Sequence, residues 1–153
     1  MTPRLLFALA LLGFAAFASK SFALVGETTK QIEARYGPQR DANRDEFGNE
    51  QRGYTFGNYI VAVAFEKGVS VCESFFRPKA SRDFTPEELA DILVAYVPSG
   101  THWKASRSEA WLWTSADGKL SAVHPSHQLQ IATVEYARRM TAYNNAKSRK
   151  KPH

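Results

Sequence analysis

Asp41, Asn43 and Asp45 alternate in the stretch DANRDEFGNEQR as the first three oxygen donors of a calcium loop do. Such a loop, set between two helices, also needs Gly at its sixth position and a bidentate Glu at its twelfth. Here those positions hold Glu46 and Arg52, and Arg52 puts a cation where the metal needs a carboxylate. Gly37-Pro38 precedes the stretch and strand-like Tyr54 follows it, so neither flank is a helix. The segment reads as a polar, turn-rich loop bridging the first helix to the sheet. Asp41, Asn43 and Asp45 stay only as candidate cation ligands.

The second constellation is His124-Pro125-Ser126-His127, two imidazoles three residues apart, with His102 elsewhere. Zinc needs three or four ligands in tetrahedral reach. Pro125 argues for a turn with both rings toward water, so no metal and no cofactor is expected. Trp103, Trp111 and Trp113 fall in the same half, near Tyr96 and His102. Trp111 and Trp113 share a strand face, because alternate residues do. Exposed, they would form with His124 and His127 a stacking surface for a sugar or a peptide. Buried, they are filler for a small sheet.

Covalent chemistry finds little support. There is no Gly-x-Ser-x-Gly elbow, and Cys72 sits within a strand-like apolar run, where it reads as a small buried hydrophobe. Glu87, Glu88 and Asp91 suit the N-terminal half of a helix. Glu73 is the oddest carboxylate, on a strand with apolar neighbours, where burial would raise its pKa.

The N-terminus reads MTPRLLFALALLGFAAFASKSFA: a basic Arg4, a short apolar run from Leu5 to Phe17, and small residues at Ser21 and Ala23. This is the pattern of a cleavable secretory signal over residues 1–23. A second cut fits after Ala18. No cysteine closes the apolar run, so a lipid anchor is not expected, and nothing after it has the length of a membrane span. One cysteine allows no intrachain disulfide. The net charge of +5 is uneven: without Arg4 and Lys20 the chain has 18 basic and 15 acidic residues. Without Lys147, Arg149, Lys150 and Lys151 as well, it has 14 against 15. The body is therefore near neutral and lacks the basic groove of a nucleic-acid binder. Residues 144–153 read as a basic disordered tail, and residues 24–143 as one domain.

The elements that position these side chains follow from caps and periodicity. Thr28 and Gln31 form a capping box for a short helix ended by Gly37-Pro38, with Ile32 and Tyr36 on one face. Tyr59, Val61, Val63 and Phe65 share one strand face, with Ile60, Ala62 and Ala64 opposite. A turn at Gly68 then returns the chain through Val69–Phe76. Thr85, Pro86 and Glu88 start a second helix with the stripe Leu89, Ile92, Leu93 and Tyr96. Asp117-Gly118 centres a hairpin that would set Trp113 opposite Ala122 and Trp111 opposite His124. QLQIAT is a further strand with Leu129 and Ile131 inward, and Thr133 caps a last helix lined by Tyr136, Met140 and Tyr143. The expected fold is α+β: a small antiparallel sheet packed by two or three short helices, its halves readable as two similar helix-hairpin units offset by 57 residues, from Thr28 to Thr85.

The opening GETTKQIEARYGPQ resembles that of the BamE/SmpA-type module, with Gly26, Thr28, Ile32, Gly37 and Gln39 on its pattern and Pro38 one place early. The resemblance implies a helix-plus-sheet envelope domain and carries over no site residues. The β-lactamase-inhibitory-protein fold, built from two related helix-sheet units, is similar in layout. The sequence thus predicts a non-catalytic, exported (periplasmic or secreted) bacterial domain, with another envelope protein as its partner. The competing expectation is a small envelope hydrolase or a carbohydrate- or peptide-binding domain using Trp111, Trp113, His124 and His127.

Overall fold

The computed structural model describes residues 24–78, 83–97 and 101–149. The expected leader, most of the RPKASRD linker, the Pro98–Gly100 helix stop and residues 150–153 lie outside the described residues.

Both capping boxes form, at Thr28 for α1 (Thr29–Tyr36) and at Thr85 for α2 (Pro86–Ala95). Each cap satisfies amide groups that the first helical turn leaves without partners. The third helix, α3 (Val134–Arg149), starts behind Thr133, whose hydroxyl accepts from the Tyr136 amide at 3.2 Å. It does not stop near Tyr143. No Gly or Pro interrupts residues 134–149, so residues 144–149, expected as tail, continue the helix to Arg149.

The expected small sheet with helix-hairpin units is corrected by one eight-stranded antiparallel sheet. Its strands are β1 (Asp41–Arg44), β2 (Glu50–Phe56), β3 (Tyr59–Glu66), β4 (Val69–Phe76), β5 (Trp103–Ala105), β6 (Leu112–Ser115), β7 (Leu120–Val123) and β8 (Gln128–Thr133). The spatial order is β1-β2-β3-β4-β8-β7-β6-β5. Each of α1 and α2 leads a four-stranded meander, and the two meanders join where β4 pairs with β8.

Three strands account for the difference. β1 is wholly exposed and carries no apolar residue but Ala42, so no alternation marks it. The stretch DANRDEFGNEQR is therefore β1, a tight turn and the start of β2, rather than a loop. β2 offers only Tyr54 and Phe56 as large apolar residues, and a two-residue turn at Gly57-Asn58 separates it from β3. β5 is three residues long.

Alternation along the strands divides the side chains between two faces. Val61, Val63 and Phe65 of β3, Phe75 of β4 and Leu129 and Ile131 of β8 meet Ile32 and Tyr36 of α1 and Ile92, Leu93 and Tyr96 of α2. Burying an aliphatic or aromatic side chain of this size contributes about 1.5–3 kcal/mol, so this face holds most of the stability. On the opposite face Ala64, Cys72 and Ala132 lie beneath Tyr136 and Met140 of α3. A bulge opposite Phe65, where Phe65 pairs with Ser70 and Ala64 with Cys72, keeps both faces in phase through the turn at Lys67-Gly68. Lys67 and Gly68 both have positive φ, as a type I′ turn requires.

Candidate functional site: the cleft beneath α3

The registers on the α3 face build a depression from small residues. Across four strands runs the row Gln51–Ala64–Cys72–Ala132, and beside it the row Gly53–Ala62–Ser74–Gln130. Glycine, alanine, cysteine and serine stand low on a pleated surface, whereas Gln51, Gln128 and Gln130 rise at its margins. Tyr136, Met140 and Asn144 of α3 close one side, leaving a cleft of about 410 Å³.

Asp45 fixes that wall. Its Oδ1 accepts from the Phe47 and Asn49 amides at 2.9 Å each, and its Oδ2 from Asn49 Nδ2 at 3.0 Å and the Tyr136 hydroxyl at 2.9 Å. Although partial burial opposes ionisation, these donors hold the Asp45 carboxyl below its ordinary range. The carboxylate thus ties the β1–β2 turn to α3. Asp41 and Asn43 lie on exposed, extended β1. Among the described residues no three His, Cys, Asp or Glu side chains are grouped to hold a metal. Arg139 is a second anchor for the helix, paired with both oxygens of Glu66 at 3.1 and 3.0 Å and lying over the rings of Phe47 and Tyr136.

The cleft has the chemistry of a binding surface. Four of its side chains, Gln51, Gln128, Gln130 and Asn144, are amides, each able to donate and accept, and Glu46 is the one charged residue lining it among the described residues. Gln130 Nε2 spans Cys72 Sγ at 3.2 Å and Ser74 Oγ at 3.4 Å. Burial pushes the Cys72 thiol up to about 12, so it stays protonated near neutral pH and is no nucleophile.

Glu73, the odd carboxylate of the sequence, points to the opposite face and is fully buried. Its Oε2 accepts from Tyr36 and Tyr96, each at 2.7 Å, one tyrosine from the end of each helix on that face. Oε1 has no partner among the described residues. Burial raises its pKa to about 7 against the pull of the two hydroxyls. The group links α1, α2 and β4, out of reach of any solute.

The histidines and tryptophans are brought together in part: the His124 amide donates to the Trp111 carbonyl at 2.9 Å. His124 Nδ1 lies 2.7 Å from the Gln128 carbonyl and Nε2 3.2 Å from Asp83 Oδ1, with the ring edge-on to Phe84. His127 reaches the same Asp83 oxygen through its backbone amide, at 3.2 Å, while its ring is exposed. The structure thus brings the two together around Asp83, not as paired ring ligands. Trp113 packs on the core beside Trp103, whose Nε1 donates to the Leu93 carbonyl at 2.7 Å. Trp111 alone is open, at 50% exposure. The cleft's amides were missed in the sequence. Their one trace is QLQIAT, where Gln128 and Gln130 alternate with the buried Leu129 and Ile131.

No family model matches the chain, and no curated protein or solved structure does.

Proposed function

We propose that this chain is a non-catalytic exported domain of the bacterial envelope, and that it acts by holding a polar segment of another envelope protein in the cleft beneath α3. The observation that carries this reading is the composition of the cleft: four amides around a floor of small side chains, with its thiol protonated and the strongly perturbed carboxylate of Glu73 on the far face. Amide side chains suit backbone N–H and C=O groups, and a cleft lined by amides, with a protonated thiol and a single carboxylate, Glu46, among its described residues, suits binding rather than bond cleavage. Export is supported by the N-terminal pattern of Arg4, apolar run and Ser21/Ala23.

The test is a photo-crosslinking side chain placed at Gln128 and, separately, at Trp111, in the chain expressed in a bacterial host. A discrete protein adduct from Gln128 and none from Trp111 is expected. Adducts from Trp111 alone would overturn the cleft and move binding to the tryptophan and histidine side of the sheet.

A further inference from the structure

The sequence offers two places to cut the leader, after Ala18 and after Ala23. The surroundings of Leu24 bear on the second. We infer that Leu24 is the first residue of the working protein and that its α-ammonium group is held by the Glu27 carboxylate. The inference rests on the export reading and adds to it the processing site and what happens to the new terminus.

Leu24 N lies 3.2 Å from Glu27 Oε2. That carboxylate is only 12% exposed and already receives Arg35, with Nε at 3.0 Å from both oxygens and Nη2 at 2.6 Å from Oε1. A peptide N–H brings to Oε2 one proton and no net charge. A freed ammonium brings three protons and a full positive charge, and a charge-assisted bond of this kind is roughly twice as strong as a neutral one.

The short segment around it is held to the sheet. The buried Ser70 hydroxyl donates to the Leu24 carbonyl at 3.2 Å and accepts from the Gly26 and Glu27 amides at 3.0 and 3.1 Å. The Ser70 amide donates to the Glu27 carbonyl at 2.8 Å, and Glu27 N closes a turn on the Leu24 carbonyl at 3.1 Å. Leu24 and Val25 pack against the main core. Leu24, the residue after Ala23, thus stands in an anchored turn with a carboxylate at its nitrogen. A cut after Ala18 would leave Ser19–Ala23 attached and Leu24 N an uncharged amide.

The full chain is expressed in an exporting bacterium, the envelope fraction is isolated, and the product is read by intact mass and N-terminal sequencing. A product beginning at Leu24 is expected. One beginning at Ser19 overturns the inference while leaving export intact, whereas an uncut chain confined to the cytoplasm removes the export reading as well. On the Leu24–His153 form, acylation of the α-amine at pH 7 measures its pairing. Holding the ammonium form should slow labelling on the order of five- to tenfold relative to E27Q, the effect of a pKa raised by about one unit. Direct titration of the α-amine by NMR checks the same point without a variant. Equal labelling rates, or an α-amine titrating at its ordinary value, would overturn the pairing.

Discussion

The two faces of the sheet are built from different residues and serve different ends. Beneath α1 and α2 lie Tyr54, Phe75, Leu129 and Ile131, large side chains that exclude water and close over the buried Glu73. Beneath α3 lie Ala62, Ala64, Cys72, Ser74 and Ala132, and the space they leave is rimmed by amides. One helix laid across a broad sheet cannot cover it. On its other flank α3 leaves a second, more open groove of about 640 Å³ against Leu112, Thr114 and Ser121. The first face thus stabilises the fold, and the second presents surface.

The sharpest way to break this comparison is to truncate one residue on each face. Phe75→Ala should cost about 3–5 kcal/mol, since a fully buried ring leaves a cavity. Met140→Ala, half-buried on α3, should cost about 1 kcal/mol. Chemical denaturation of the two variants measures both, and similar losses would mean that the faces contribute alike.

Glu73 sharpens the contrast through pH. The fold holds its proton up to about pH 7, whereas an unfolded chain releases it near about pH 4.3. Its contribution is therefore intact below about pH 4 and is lost as pH rises to about 7, by roughly 3–4 kcal/mol in all, then stays level. E73Q should flatten that part of the profile. Urea midpoints at several pH values decide it: parallel curves for the two proteins would show that Glu73 is not held protonated.

Much of the first face was legible because its signals are local and strong. Thr28 with Gln31 and Thr85 with Glu88 announce both helix starts, and the apolar stripe ending in Tyr96 announces the face that α2 buries. The pair Asp117-Gly118 fixed a register that the structure keeps: Trp113 pairs with Ala122, and the His124 amide donates to the Trp111 carbonyl at 2.9 Å, though the loop between the strands spans residues 116–119. The second face was not legible. Its floor consists of small residues whose shared surface exists only once β2, β3, β4 and β8 align, and β1 and β5 are edge strands without an apolar period. Asp45 looked like a metal ligand because aspartates that bind calcium and aspartates that organise turns share the same spacing.

Two smaller effects test the second face. Cys72, buried and protonated in its floor, should react with a maleimide in the native protein at least on the order of a hundredfold more slowly than in urea at the same pH. Equal rates would mean that the floor is open and the thiol ordinary. Trp111→Ala should change stability by no more than about 0.5 kcal/mol, and it should remove most of the acrylamide-quenchable fluorescence. Quenching that survives the substitution would place Trp103 or Trp113 in solvent.

The most direct measurement fills the cleft without touching the core. Ala62→Leu sends a larger side chain from the floor into the space beneath α3, with the crosslinking group kept at Gln128. The expected result is a melting temperature close to that of the parent together with loss of the Gln128 adduct. An adduct of undiminished yield, in a variant that folds as well as its parent, would contradict the assignment of binding to this face.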